Sequence, residues 1–383
     1  MRPGAAALCV LAAPVTLGAA TPDFAGDARA LDALVAANYA YLDRFPGGKP
    51  PMTPQVAAAR DAVHDRDSLL HYAEDVLTAL ADHHAITGAS FKDDWAVVPT
   101  YADLWIERAG DGYVVDAVRP DTPAARAGVM AGDRLVAVGG VPIARALAAF
   151  WAPLGLDSRG ERGAYGARVL AAGRRDRPRV LTVAGARGTR TLTLASLYAT
   201  HTDRPPLTVT GTTIRFNNSL GDQTTIAAFD AAMAAIPGGA PVTIDLTDTP
   251  SGGNTSVARA VMGWFVRGPS AYQVHTLPAE ERETGVPRQW IEQVLPRAGK
   301  YHSGPVRVRV GRWTGSMGEG IAIGFAAFGT PVCGTRMAGL RGAVYDFPLP
   351  ASGLVVKLPA ERLYTVSGTP REDFQPSPDA RCR

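Results

Sequence analysis

The chain has 383 residues, 46% hydrophobic and 20% charged, enough apolar material for two or three domains with full cores. Its 39 basic and 36 acidic residues leave a net charge of +3, and no basic cluster carries interleaved aromatics. That balance argues against an electrostatic nucleic-acid surface.

The chain opens on MRPGAAALCVLAAPVTLGAATPDF, with a cation at Arg2, an apolar run, and small residues at Gly18-Ala19-Ala20. These are the parts of a secretory signal peptide, expected to be cleaved near Ala20. The run is short and broken by Pro14, so no stable membrane span is expected. Cys9 would leave with the signal and would not serve as a lipid anchor, since Ala-Leu precedes it. Cys333 and Cys382 would remain, and their sequence separation leaves open whether they pair in an oxidising compartment.

Residues 27–45 and 67–82 carry apolar residues at helical spacing behind Asp or Ser starts, and FPGGKPPMTP between them reads as a loop. A helical region is therefore expected over 21–96, ending in the polar break ADHHAITGASF. Residues 113–143, YVVDAVRPDTPAARAGVMAGDRLVAVGGVPI, predict a strand, a short helix after Pro123, and a second strand ending at Gly139-Gly140. This pattern resembles the core of a PDZ domain, a fold that binds extended peptides at a sheet edge. Residues 179–196 would close its sheet, and 151–178 reads as an insertion rich in Arg and Gly, giving a domain over 97–197. A PDZ fold used only for packing remains open, because no typical carboxylate-binding loop stands out.

From 207 onward strand patterns alternate with helical ones: LTVTGTTIRFNN, DQTTIAAFDAAMAAIPGG, PVTIDLTD, NTSVARAVMGWFVRG and VRVRVGRW. An α/β layered domain over 198–383 follows. Ser316 stands where VRVRVGRW gives way to a small-residue helix, so its backbone neighbours point free N–H groups at any developing oxyanion. Ser316-Met317-Gly318-Glu319 is also a capping box. The context fails the G-x-S-x-G elbow of α/β-hydrolases. The Pro-Ser-Gly-Gly turn at 250–253 lets backbone approach a ligand, and Gly252 or Gly253 could offer a second N–H. No phosphate-loop pattern occurs.

In order, the PDZ-like core, the D-L…G-G-N turn, the S-x-x-E helix start and the later G-T-x-M-A-G-L-x-G segment resemble the C-terminal-processing (tail-specific) serine peptidases, serine-peptidase family 41. The resemblance implies a crotonase (ClpP)-like α/β catalytic domain with an embedded PDZ-like β domain. It makes Ser316 the nucleophile, with Met317 and the Gly252-Gly253 turn supplying oxyanion donors. One departure is decisive. Where the bacterial tail-specific enzymes place a lysine base, this chain has Arg341, whose guanidinium stays protonated. The four lysines are Lys49, Lys92, Lys300 and Lys357, and none falls in that window.

Unless Lys357 folds back to serve, a histidine is the remaining candidate base. Among His64, His71, His83, His84, His201, His275 and His302, the stretch ALADHHA resembles the D-x-H-A segment of the secreted chlamydial protease in this superfamily, and matches His84. The tricorn and chlamydial branch also has a glutamate before a Pro-Asp pair, which corresponds to Glu372 ahead of Pro378-Asp379. Asp248 and Asp373 are rival acids, and Asn217, Asn218 and Ser219 are placed to line the site. No cofactor is implied, and adjacent His83 and His84 are poorly spaced to chelate a metal. The expected partners are protein or peptide substrates, with a homo-oligomer left open. The expected location is periplasmic or secreted. The alternative is a non-catalytic peptide- or lipid-binding protein on the same fold.

Overall fold

The computed structural model describes residues 22–200 and 203–377. The signal segment, His201, Cys382 and the Pro378-Asp379 pair lie outside these residues. Among the described residues no helix is long and apolar enough to cross a membrane.

Three helices, Phe24–Asn38, Pro54–Asp61 and Arg66–Ala79, form the N-terminal part. Asp23, Thr53 and Asp65 cap them, each side chain accepting a backbone N–H of the first turn. Their apolar faces bury Leu31, Val35, Leu69, Tyr72 and Val76 against Leu349, Leu354, Val356 and Leu358 near the far end of the chain. The first helix stops at Asn38 rather than running to 45, because Tyr39 turns extended and its hydroxyl reaches buried Asp82 at 2.7 Å.

The second body is a β domain. Its strands Leu104–Ala109, Gly112–Val118, Arg134–Val138, Arg179–Gly185 and Gly188–Leu194 pair antiparallel in that order. The helix expected after Pro123 spans Pro123–Arg126. The segment read as an insertion is instead an integral helix, Glu161–Ala172, whose Ala167, Leu170 and Ala171 join the core of this domain. Gly166 permits that packing, since a Cβ there would come within 2.8 Å of Leu147. Its two arginines, Arg162 and Arg168, break the apolar periodicity, although Arg168 itself packs inward over Trp105.

The third body is a five-stranded sheet in the order Val332–Gly334, Val306–Val310, Val242–Asp245, Thr213–Phe216 and Leu207–Thr210. The first four are mutually parallel, and the last closes an antiparallel hairpin. Helices Thr224–Ala235, Thr255–Met262 and Met317–Ala327 complete an α/β unit around Ile244, Val308, Ile321 and Phe325. Buried Cys333 is disulfide-bonded, and its partner lies outside the described residues.

Two connections position the site. The parallel strands Val242–Asp245 and Val306–Val310 are neighbours, so the turns leaving their carboxyl ends lie side by side, as ligand sites do in open α/β sheets. Separately, Ile86–Thr87 pairs with Lys357 and Val356 of the C-terminal hairpin. That short ladder carries the 82–85 turn from the front of the chain to its end.

Candidate active site

Ser316 has φ 51° and ψ −113°. An ordinary N-cap sits in the extended region, and a side-chain-bearing residue at positive φ costs about 1–3 kcal/mol. The cap role alone therefore does not account for this conformation. The flanking glycines make the bend possible. A Cβ at Gly315 would lie 2.7 Å from the Pro250 carbonyl, and one at Gly318 would lie 2.4 Å from Thr249 Oγ1. The strand-to-helix elbow is thus present with glycines at −1 and +2, a spacing the G-x-S-x-G test does not detect.

The 249–253 turn lies directly against it. Thr249 N–H donates to Trp313 O at 2.8 Å, and Gly315 N–H donates to Thr249 O at 3.2 Å. Gly252 has φ 65°, and a Cβ there would stand 2.4 Å from Ser316 Cβ, 2.9 Å from Ser316 Oγ and 2.9 Å from Met317 N. The missing side chain therefore leaves open the space beside the hydroxyl and the first helical N–H. Of the three expected donors, Gly252 is spent, because its N–H already donates to Thr249 O at 3.1 Å. Met317 and Gly253 N–H have no acceptor among the described residues.

Glu319 is fully buried and accepts from Ser316 N–H at 2.8 Å, Gly339 N–H at 2.8 Å and Leu340 N–H at 3.2 Å. Burial pushes its carboxyl up to about 7, while Arg371 and the three N–H groups oppose that rise. The capping residue thus also ties the Ser316 helix to the 339–342 loop.

The same loop holds the histidine. His84 is half-buried, its N–H donates to Asp82 Oδ1 at 3.0 Å, and its ring Nδ1 lies 2.6 Å from Arg341 O. Burial and then the Arg371 charge lower its pKa to about 4. Arg371, itself buried, donates to Leu340 O and Gly342 O at 2.8 Å each. Ser316 and His84 therefore hang from one four-residue loop, the first through Glu319 and the second through Arg341. No hydrogen bond joins their side chains.

Glu372 does not stand behind the imidazole as expected. Its Oε2 has no hydrogen-bond partner and faces the Tyr41 hydroxyl, while burial raises its pKa. The Nδ1 position is occupied by a backbone carbonyl instead. The rival Asp248 is bound by arginines, and Asp373 is exposed. Lys357 is held by Asp346 at 2.7 Å, which removes it as a base. Asn218 borders the turn, its Oδ1 accepting Ser251 N–H and its Nδ2 donating to Ser251 Oγ, both at 2.9 Å. Asn217 and Ser219 instead hold the preceding hairpin, donating to the Pro205 and Pro206 carbonyls. Arg371 was missed, although it adjoins Glu372 in sequence. A buried arginine beside a candidate acid gives no periodic signal. Among the described residues no group of three or more His, Cys, Asp or Glu could hold a metal.

The PDZ domain family model matches residues 114–149. No curated protein sequence matches the chain. Solved structures match over nearly its whole length. The photosystem II D1 C-terminal processing protease is 16% identical, covers 93% of each chain, and gives a TM-score of 0.56. Mature CPAF complexed with lactacystin is 15% identical with 93% of each chain covered and a TM-score of 0.58. Another structure of mature CPAF is 14% identical, covers 93% of this chain and 92% of the other, and gives 0.57. The chain has the fold of these proteases. Within this protease fold, which includes a PDZ domain, the elbow at Ser316 and the 82–85 turn are brought to opposite ends of the same loop.

Proposed function

We propose that the chain is a serine endopeptidase that hydrolyses extended or unfolded protein segments, including C-terminal tails, with Ser316 as nucleophile and His84 as general base. The observation that carries this reading is the strained Ser316 elbow, with the side-chain-free Gly252 against its hydroxyl and the unpaired Met317 N–H beside it. Strain of this kind is retained where the surrounding structure enforces it, and it concentrates at active sites.

In the proposed reaction, Ser316 Oγ attacks the scissile carbonyl and its proton passes to His84 Nε2. The Arg341 carbonyl accepts from Nδ1–H, which leaves the lone pair on Nε2. The tetrahedral oxyanion accepts from Met317 N–H and Gly253 N–H. Its collapse expels the amine with the proton from His84, and water then repeats the sequence on the acyl-enzyme. Ring and hydroxyl close on each other when substrate binds, as catalytic hydrogen bonds do. Glu372 stays outside this relay. The disulfide at Cys333 supports an oxidising compartment, in keeping with an exported protein.

The test is Ser316→Ala in the processed protein. Casein hydrolysis and fluorophosphonate labelling are both expected in the parent and absent in the variant. Cleavage that survives the substitution overturns the assignment. Lack of labelling in the folded parent favours a non-catalytic binding protein.

A further inference from the structure

A cavity of about 880 Å³ lies between the PDZ domain and the parallel sheet, and Asp248 sits at its floor, 3% exposed. Three guanidinium groups converge on that one carboxylate. Arg119 places Nη2 at 2.6 Å and Nε at 3.1 Å from Oδ1, Arg204 Nη1 lies 2.7 Å from Oδ2, and Arg215 Nη2 lies 3.4 Å from Oδ2. The arginines hold the Asp248 carboxyl below its usual range against the opposing effect of burial. The floor therefore carries two positive charges more than it neutralises.

The three arginines are not equivalent. Arg119 is used up, since its Nη1 donates to Thr100 O at 2.8 Å, and it serves to pin the PDZ domain to the sheet. Arg204 makes one contact and is 41% exposed. Arg215 makes one long contact, and its buried Nε has no partner. An unpaired buried guanidinium N–H is costly and marks a site short of one acceptor. The cavity also has Asp121, Asp203 and Asp222 at its rim, all exposed and screened by water. None of them is paired with Arg204 or Arg215, whose carboxylate partner is Asp248.

The cavity adjoins the elbow. Asp248 and Gly252 belong to one turn and are four residues apart, at most about 14 Å along an extended chain. Asn218, which lines the cavity, accepts Ser251 N–H, and Gly252 touches Ser316.

We propose that this cavity is a carboxylate-binding subsite in which Arg204 and Arg215, aligned by Asp248, select substrates with a carboxylate no more than about four residues from the scissile bond. It rests on the peptidase reading for its place along the substrate, but not for its ability to bind. Bidentate guanidinium recognition is the chemistry that fits planar carboxylates. An acidic side chain and a chain terminus share that chemistry.

The experiment measures binding of fluorescent octapeptides to full-length Ser316→Ala protein by anisotropy. Three peptides are compared: one with Glu and an amidated end, its Gln counterpart with an amidated end, and the Gln peptide with a free carboxyl end. The Glu peptide is expected to bind at least tenfold more tightly than the amidated Gln peptide. That advantage should disappear in Arg204→Gln/Arg215→Gln and shrink with added salt on the unaltered arginines. A matching gain for the free-acid peptide assigns the site to chain ends as well. Equal binding of all three, or a Glu advantage indifferent to both the arginines and salt, overturns the proposal. Casein hydrolysis by the parent separates the two readings. A parent that cleaves without Glu preference loses only the subsite. A parent that cleaves nothing, but whose Ser316→Ala form binds Glu through these arginines, loses only the peptidase assignment.

Discussion

His84 Nδ1 lies 2.6 Å from the main-chain oxygen of Arg341, and no carboxylate is hydrogen-bonded to the ring. A carbonyl only accepts, so Nδ1 carries the hydrogen and Nε2 is left basic. The peptide group fixes the tautomer but supplies no formal charge to steady an imidazolium. Glu372 is therefore expected to be dispensable for orientation. Glu372→Gln should lower kcat by less than tenfold, measured on a casein-derived peptide. A true orienting acid behind the histidine would cost about 10⁴ in kcat. A loss of that size would return Glu372 to the relay.

The environment of the ring also fixes a pH profile. Burial and the Arg371 charge hold His84 near pKa 4, so the imidazole is neutral and able to accept a proton through most of the acid range. The acid limb of kcat/KM set by His84 should fall near pH 4, well below the ordinary histidine value of about 6.5, and an inflection near 7 would belong to Glu319. Arg371→Gln removes a positive charge that opposes protonation. Its acid limb should move upward, toward the ordinary value. An unmoved limb would show that another group controls the profile.

Gly252 offers the sharpest steric test. A methyl group there would stand 2.9 Å from both Ser316 Oγ and Met317 N, in the space proposed for the oxyanion. Its φ of 65° adds about 1–2 kcal/mol of strain for a residue with a Cβ. Gly252→Ala should therefore fold with a somewhat lower melting temperature and lose about 10²–10³ in kcat, as when one oxyanion donor is removed. Unchanged kcat with a lowered melting temperature would confine Gly252 to a structural role.

These residues differ in how far the sequence disclosed them. The α/β alternation after residue 207 was legible because strands and helices carry different periods, and the S-x-x-E start marked the helix at Ser316. The PDZ pattern was legible through its prolines and glycines. The elbow was hidden, because positive φ at a serine leaves no compositional trace. The Arg341 carbonyl was beyond reach for a simpler reason: a backbone acceptor is the same at every residue. The direction of Glu372 was beyond reach for the opposite cause, since a carboxylate near the chain end is visible in sequence while its orientation toward Tyr41 is set by packing. The helix Glu161–Ala172 was lost to its arginines, one of which, Arg168, is packed inward over Trp105 and donates to the Ile106 carbonyl at 2.9 Å.

A second histidine should govern stability without touching the chemistry. His275 is buried between Glu361, 2.8 Å from Nδ1, and Glu292, 3.3 Å from Nε2, with its ring stacked on Trp290. Burial lowers its pKa, but the two carboxylates outweigh that and the net shift is upward. The sign follows from linkage. A raised folded-state value favours folding fully below the unfolded value of about 6.5, and the contribution disappears as pH climbs through the folded value. His275→Leu leaves Glu361 buried without its cation, which should cost about 3–5 kcal/mol at pH 6. The deficit should narrow as pH rises above neutrality, because the parent loses its own imidazolium there. Chemical denaturation of both proteins at pH 6 and pH 9 measures this directly, and a deficit that stays constant would mean the ring does not change its protonation between them.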